Sequence, residues 1–107
     1  MIAPLGIFDS GSGGFTILKR VRERYGDVNC LYLADTSRVP YGEKSASEIR
    51  FIANEVVTWL IGQKVSAVLI ACNTTNSLAL DIVEMVSDVP VFGLIEAAAE
   101  MVKEQRI

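Results

Sequence analysis

Histidine is absent from the 107 residues, and cysteine occurs only at Cys30 and Cys72. A Cys-His catalytic pair within the chain is therefore excluded, and two isolated cysteines make neither a CxxC metal spacing nor a disulfide framework. Long hydrophobic runs are missing as well. The longest, such as Ala67 to Cys72, fall far short of the ~20 residues that span a bilayer, and the amino terminus has no charged-then-apolar signal pattern. A cytoplasmic protein with no membrane partner is expected. There is no excess of positive charge either: the net charge is −3, which argues against a nucleic-acid footprint. Lys19, Arg20, Arg22 and Arg24 do gather on one predicted helix, but Glu23 interrupts them, and they read as a solvated helix face. No internal repeat or low-complexity tract occurs.

What is present belongs to a folded globular protein: 50% hydrophobic and 21% charged residues, in a length that suits one small domain with a single modest core. Leu5 to Phe8 is a short apolar run leading into Asp9 and a glycine cluster, and Ile17, Leu18, Val21 and Tyr25 then recur at helical spacing. Cys30 to Ala34 forms a second compact run. From Ser47, read as an N-cap, Ile49, Ile52, Val56, Trp59 and Leu60 form one apolar stripe that stops at Gly62. Val65 to Ala71 has the near-continuous apolar character of a strand buried on both faces, and it delivers Cys72 at its end. Asn73 to Asn76 supply caps for a helix whose Leu78, Ile82 and Met85 share a face. Asp88-Val89-Pro90 breaks it before a fourth strand, Val91 to Leu94, and Glu96 to Arg106 is helical again. Four strand-helix units imply an α/β fold, a parallel sheet with flanking helices, whose ligands sit outside the strands' carboxyl ends.

The polar residues cluster at those ends: Asp9-Ser10 after the first strand, Asp35 to Gly42 after the second, Cys72 to Thr75 after the third. Three loops are thus expected to line one pocket. Each has a plainer reading. Asp9 is also a plausible helix cap. Gly11-Ser12-Gly13-Gly14, with Asp35 downstream, suggests a dinucleotide loop, but Thr16 stands where the third glycine belongs and Asp9 places an acid ahead of any phosphate. Pro40-Tyr41-Gly42 has the composition of a simple turn, although the loop from Asp35 to Ser45 is long for an α/β connection, as binding loops often are. Cys72 at a helix N-terminus meets the positive end of the macrodipole, which favours a thiolate able to act as nucleophile or base. Buried cysteines are common, so an inert thiol stays open from position alone. Asn73 and Thr74 beside it offer side chains and backbone NH groups to a carboxylate. Cys30 sits inside the second strand and is expected in the core. On this placement Cys72 should be the more exposed and more reactive thiol.

In order along the chain, Gly6-Ile7-Phe8-Asp9-Ser10-Gly11-Ser12-Gly13-Gly14, Asp35-Thr36-Ser37-Arg38-Val39-Pro40-Tyr41-Gly42-Glu43-Lys44-Ser45 and Ala71-Cys72-Asn73-Thr74-Thr75 resemble the N-terminal signatures of the glutamate racemases. The resemblance implies a cofactor-independent enzyme of the aspartate/glutamate racemase superfamily. One cysteine thiolate removes the α-proton of glutamate, a second thiol reprotonates from the opposite face, and the D-glutamate formed serves peptidoglycan synthesis. It further implies that Cys72 is one catalytic thiol, that Asp9 is the carboxylate assisting it, and that Ser10, Pro40, Tyr41, Gly42, Asn73, Thr74 and Thr75 bind substrate. No cofactor or metal is implied. Thr75 stands where the family commonly has alanine. The family's chains continue into a second, pseudo-symmetric domain with a Cys-Thr-His motif that does not occur here. The resemblance thus divides this chain into residues 1–95, a partial α/β domain, and 96–107, a helix leading toward that second domain. The sheet is expected to be incomplete relative to the two-domain fold, the chain inactive alone and prone to form homo-oligomers. Aspartate as substrate, and a non-catalytic nucleotide- or anion-binding module, are the alternatives.

Overall fold

Short apolar runs separated by helical segments can pair only in parallel, because each helix returns the chain to the same end of the sheet. The computed structural model, which describes residues 3–11, 14–26 and 29–94 with backbone alone for 14–16, 24 and 25, follows this logic. Its elements are β1 (Leu5–Asp9), α1 (Gly14–Tyr25), β2 (Cys30–Ala34), α2 (Ala46–Gly62), β3 (Ala67–Ile70), α3 (Asn73–Val86) and β4 (Val91–Phe92), with short 3₁₀ turns at Thr36–Arg38 and Tyr41–Glu43. The strands form one parallel sheet in the order β2-β1-β3-β4. Leu5 lies opposite Cys30 on one side and Ala67 on the other. The expected helix over Glu96 to Arg106, and the boundary before residue 96, lie outside the described residues.

Alternation along the strands gives the sheet two apolar faces. Phe8, Val68 and Ile70 face α2 and α3, where Ile49, Ala53, Val57, Leu60, Ala79 and Val83 complete the larger core. Ile7, Leu69 and Ala71 face the other way, against Ile17, Leu18 and Val21 of α1.

Three details depart from the sequence reading. The cap of α2 is Ser45 rather than Ser47, because Ser45-x-x-Glu48 closes a capping box: Glu48 N–H donates to Ser45 Oγ at 3.2 Å and Ser45 N–H to Glu48 Oε1 at 3.3 Å. Trp59 is 47% exposed, lying on the flank of a buried stripe made by Ile49, Ile52, Ala53, Val56, Val57 and Leu60. On α3 the buried face is Thr75, Ala79 and Val83, while Leu78 and Met85 are exposed. The larger apolar residues thus sit roughly a quarter turn away from the sheet. Small residues face inward there because α3 also packs closely against α2, to which it is joined by the Arg50–Asp81 pair at 2.7 and 3.0 Å.

The capping box yields a discriminating test. Ser45→Ala should lower the unfolding free energy by about 1 kcal/mol, whereas Ser47→Ala should change it by less than ~0.5 kcal/mol. Urea titrations of the two variants would decide, and equal losses would move the cap to Ser47.

Candidate functional site

The strand order places a topological switch between β1 and β3: the chain leaves β1 toward β2 on one side and returns to add β3 on the other. At such a point the loops on opposite faces diverge and open a crevice outside the carboxyl ends. The loops that end β1 and β3 carry Asp9-Ser10 and Cys72-Asn73-Thr74-Thr75. Of the residues singled out in sequence, Asp9, Ser10, Tyr41, Cys72 and Thr75 are buried, Thr74 is half-buried, and Pro40, Gly42 and Asn73 are exposed. The glycine loop contributes a fixed bend. Gly11 has φ +104°, and a Cβ there would lie 2.9 Å from Thr36 Cγ2, so the β1 loop is pressed against the turn after β2. Ser12 and Gly13 lie outside the described residues.

Two buried carboxylates stand at neighbouring strand ends, and each accepts a hydrogen bond from a tyrosine. Asp9 Oδ2 accepts from Tyr32 Oη at 2.8 Å. Tyr32 is paired with Ile7 in the parallel β1–β2 register, two residues before Asp9, so the alternation of side chains puts the phenol and the carboxylate on the same face. Asp35 Oδ2 accepts from Tyr41 Oη at 2.5 Å and from Arg38 Nε at 2.7 Å, and Ser37 Oγ lies 3.4 Å from Oδ1. The same Arg38 reaches Glu55 of α2 at 2.6 Å. The backbone N–H of Asp35 donates to Asp9 O at 2.9 Å, which ties the two strand ends together. Asp35 thus anchors its own loop.

Tyr41 lies in the larger core, edge-on to Phe8 with ring centroids 6.3 Å apart, and in the same cluster as Cys72. Its phenol is pushed far up, first by burial and then by the hydrogen bond and charge of Asp35, against a smaller opposing effect of Arg38. It remains a protonated donor.

Cys72 is the N-cap of α3. Its carbonyl accepts from the Asn76 backbone N–H at 3.0 Å and from Asn76 Nδ2 at 2.8 Å; Nδ2 also donates to Ile70 O at 2.8 Å, and Oδ1 accepts from Leu94 N–H at 3.0 Å. That last bond takes the Leu94 N–H, and β4 ends at Phe92 instead of running to Leu94 as expected. The thiol of Cys72 is only 4% exposed, whereas Cys30 is half-buried at the sheet's edge strand, its thiol pushed up by burial. The expected ranking of exposure is therefore reversed, because Cys72 packs within the larger core cluster together with Tyr41. Thr75 Oγ1 is fully buried and accepts or donates no hydrogen bond among the described residues, so a polar ligand at the α3 N-terminus would find a group to satisfy. An open cavity of about 460 Å³ lies beside β2, lined by Asp35, Arg38, Glu55 and Trp59 among others. It shares Asp35 with the strand-end cluster but not Asp9, Tyr41 or Cys72.

A profile of Asp/Glu/Hydantoin racemases matches residues 16–107. The chain belongs to that family. A glutamate racemase of Synechococcus sp. (strain CC9605) is 58% identical over 103 residues, covering 96% of this chain and 39% of the relative. Among solved structures, the glutamate racemase of Francisella tularensis in complex with D-glutamate superposes with a TM-score of 0.84 at 40% identity, over 94% of this chain and 38% of that one. The glutamate racemase from Aquifex pyrophilus gives a TM-score of 0.84 at 41% identity, over 95% and 40%. The chain thus spans about two fifths of the length of these racemase-family relatives. No helix among the described residues is long and apolar enough to cross a membrane.

Tyr32, Arg38 and Asn76 were not singled out as site residues from sequence. Tyr32 carried a usable signal, since a parallel register puts every second residue of β2 on the face of Asp9.

Burial, the Asp9 hydrogen bond and the Asp9 charge push the Tyr32 phenol up to about 12. The unfolded phenol titrates near ~10, so the stability it contributes is complete below about pH 10 and lost as pH rises toward 12. Wild type should therefore exceed Tyr32→Phe in denaturation midpoint at neutral pH, with the gap closing across that alkaline window. A gap unchanged to pH 12 would contradict the Asp9 contact.

Proposed function

We propose that this chain supplies one acid/base half of a cofactor-independent glutamate racemase, with Cys72 as the thiol that works on one face of the substrate α-carbon. One observation supports the reading above all: Asp9 and Cys72 follow adjacent parallel strands, β1 and β3, in a sheet that matches racemases at high identity. In the proposed chemistry the Cys72 thiolate takes the α-proton of one enantiomer. The electron pair left on carbon spreads into the α-carboxylate, and a second thiol, outside this chain, returns a proton from the opposite face. In the reverse direction the two thiols exchange roles. Asp9 assists proton movement at Cys72. Ser10, the Pro40-Tyr41-Gly42 turn, and Asn73, Thr74 and Thr75 bind the substrate. The first-turn N–H groups of α3 have no partner within the helix and suit the carboxylate whose charge grows in the transition state. D-glutamate for peptidoglycan synthesis, made in the cytoplasm, is the proposed product.

Of the two thiols only Cys72 lies at the strand ends, so the chain alone should bind glutamate without interconverting its enantiomers. Backbone NMR titration should show D- or L-glutamate perturbing Ser10, Asn73 and Thr74 more than aspartate does, and NAD leaving them unmoved. Stronger shifts with aspartate would redirect the substrate, and a response to NAD alone would replace the racemase reading with nucleotide binding. By circular dichroism, interconversion by a purified monomer at about 1 per second or faster would show that 107 residues hold both acids.

Self-association is also proposed. Each outer strand, β2 and β4, pairs with one neighbour among the described residues, and unpaired edges recruit further chains. Sedimentation across a concentration series should show homo-oligomers, and a strict monomer at high concentration would refute this.

A further inference from the structure

The loop after β2 carries a charge chain that the acid/base proposal does not use. Glu55, on the outer part of α2, pairs with Arg38 at 2.6 Å; Arg38 pairs with the buried Asp35 at 2.7 Å; Asp35 accepts from Tyr41 at 2.5 Å. Tyr41 in turn packs in the same buried cluster as Cys72. The chain of groups thus runs from the surface to Tyr41 in three polar links, and from Tyr41 to the thiol by packing. We infer that Arg38 is a positioning residue for the site: acting through Asp35, it holds the Tyr41 phenol and hence the backbone of the Pro40-Tyr41-Gly42 turn over Cys72. The part of this inference that concerns glutamate rests on the racemase reading; the part that concerns Cys72 does not.

The physical case is one of compensation. A carboxylate as buried as Asp35 is tolerated only when a cation and hydrogen-bond donors satisfy it. Arg38 provides the cation through Nε and, with its other arm on Glu55, cannot swing away without breaking two charged bonds at once. Its planar fork sets a direction as well as a charge, which a lysine reproduces only in part. With Asp35 held in one orientation, Tyr41 has a fixed acceptor. The turn that follows is built from Tyr41 itself, Lys44 N–H donating to Tyr41 O at 3.0 Å. Loss of Arg38 leaves Asp35 with an uncompensated charge, and the least costly response is for the loop to open toward water, carrying Tyr41 off Cys72.

The test is a double-mutant cycle on the whole chain, using Arg38→Ala, Tyr41→Phe and the pair. Two readouts are followed: the alkylation rate of Cys72 by iodoacetamide, resolved from Cys30 by mass spectrometry, and the affinity for glutamate. Each single variant should raise the Cys72 rate about tenfold or more, and the double variant should add little, as expected of residues acting in one network. Arg38→Lys should recover part of the protection. Glutamate affinity should fall in parallel. If the wild type binds no glutamate, the racemase reading fails while the Cys72 rates still judge the clamp. Rates that stay at the wild-type value in Arg38→Ala, or that multiply in the double variant, would overturn the inference. Should Arg38→Ala not fold, Arg38→Lys replaces it in the cycle. A Cys72 rate equal to wild type in Arg38→Lys, with Tyr41→Phe raised, would then count against the clamp.

Discussion

The carboxamide of Asn76 satisfies three backbone groups at the place where the sheet ends. Its nitrogen serves the carbonyls of Ile70 and Cys72, and its oxygen takes the N–H of Leu94. Between β3 and α3 the Ile70 carbonyl is taken by this side chain, while the Cys72 carbonyl accepts both from it and from the first helical N–H, that of Asn76. Beyond β4 the Leu94 N–H has left its strand, and burying such a group unpaired costs on the order of 1–3 kcal/mol. One side chain resolves the conflict for two strands. It also fixes the level at which Cys72 leaves the sheet, so the thiol's height relative to Asp9 and Tyr41 follows from a backbone requirement.

Around that fixed point the polar groups are arranged in tyrosine-carboxylate pairs, Tyr32 with Asp9 and Tyr41 with Asp35. A buried carboxylate without donors would sooner take up a proton than stay charged. Here each acid has a phenol directed at it, and Asp35 has a guanidinium besides. The result is a strand-end surface whose dipoles are set before any ligand arrives, the condition under which electrostatic help to a reaction requires no reorganisation.

The architecture was legible because it follows from periodicity. Runs such as Leu5 to Phe8 and Cys30 to Ala34 are too short for helices and too apolar for loops, and their alternation with helical segments leaves only a parallel sheet. The placement of Asp9, Ser10 and Cys72 was legible as well, since polar residues directly after such strands have nowhere to go but the carboxyl edge. What escaped depended on facing rather than on type. Leu78 and Met85 have the hydrophobicity of core residues, but with α3 packed closely against α2 only Thr75, Ala79 and Val83 are buried. Cys72 was expected open and is buried, because its core neighbours, Tyr41 among them, are distant in sequence. Arg38 has its role only through Asp35 and Glu55, which stand on either side of it. Three-dimensional neighbours, not local propensity, decide each of these.

The central position of β1 has a consequence during synthesis. It is made before both of its partners, yet it takes one on each edge: β2 soon after, and β3 only when residues 67–70 have been added. At about 5–20 residues per second, several seconds separate the two pairings. Throughout that interval one ladder of N–H and C=O groups on a strand containing Ile7 and Phe8 is open to any other extended segment nearby. The residue order that sets the topological switch between β1 and β3 is thus also the order that leaves the first strand without its second hydrogen-bonding partner.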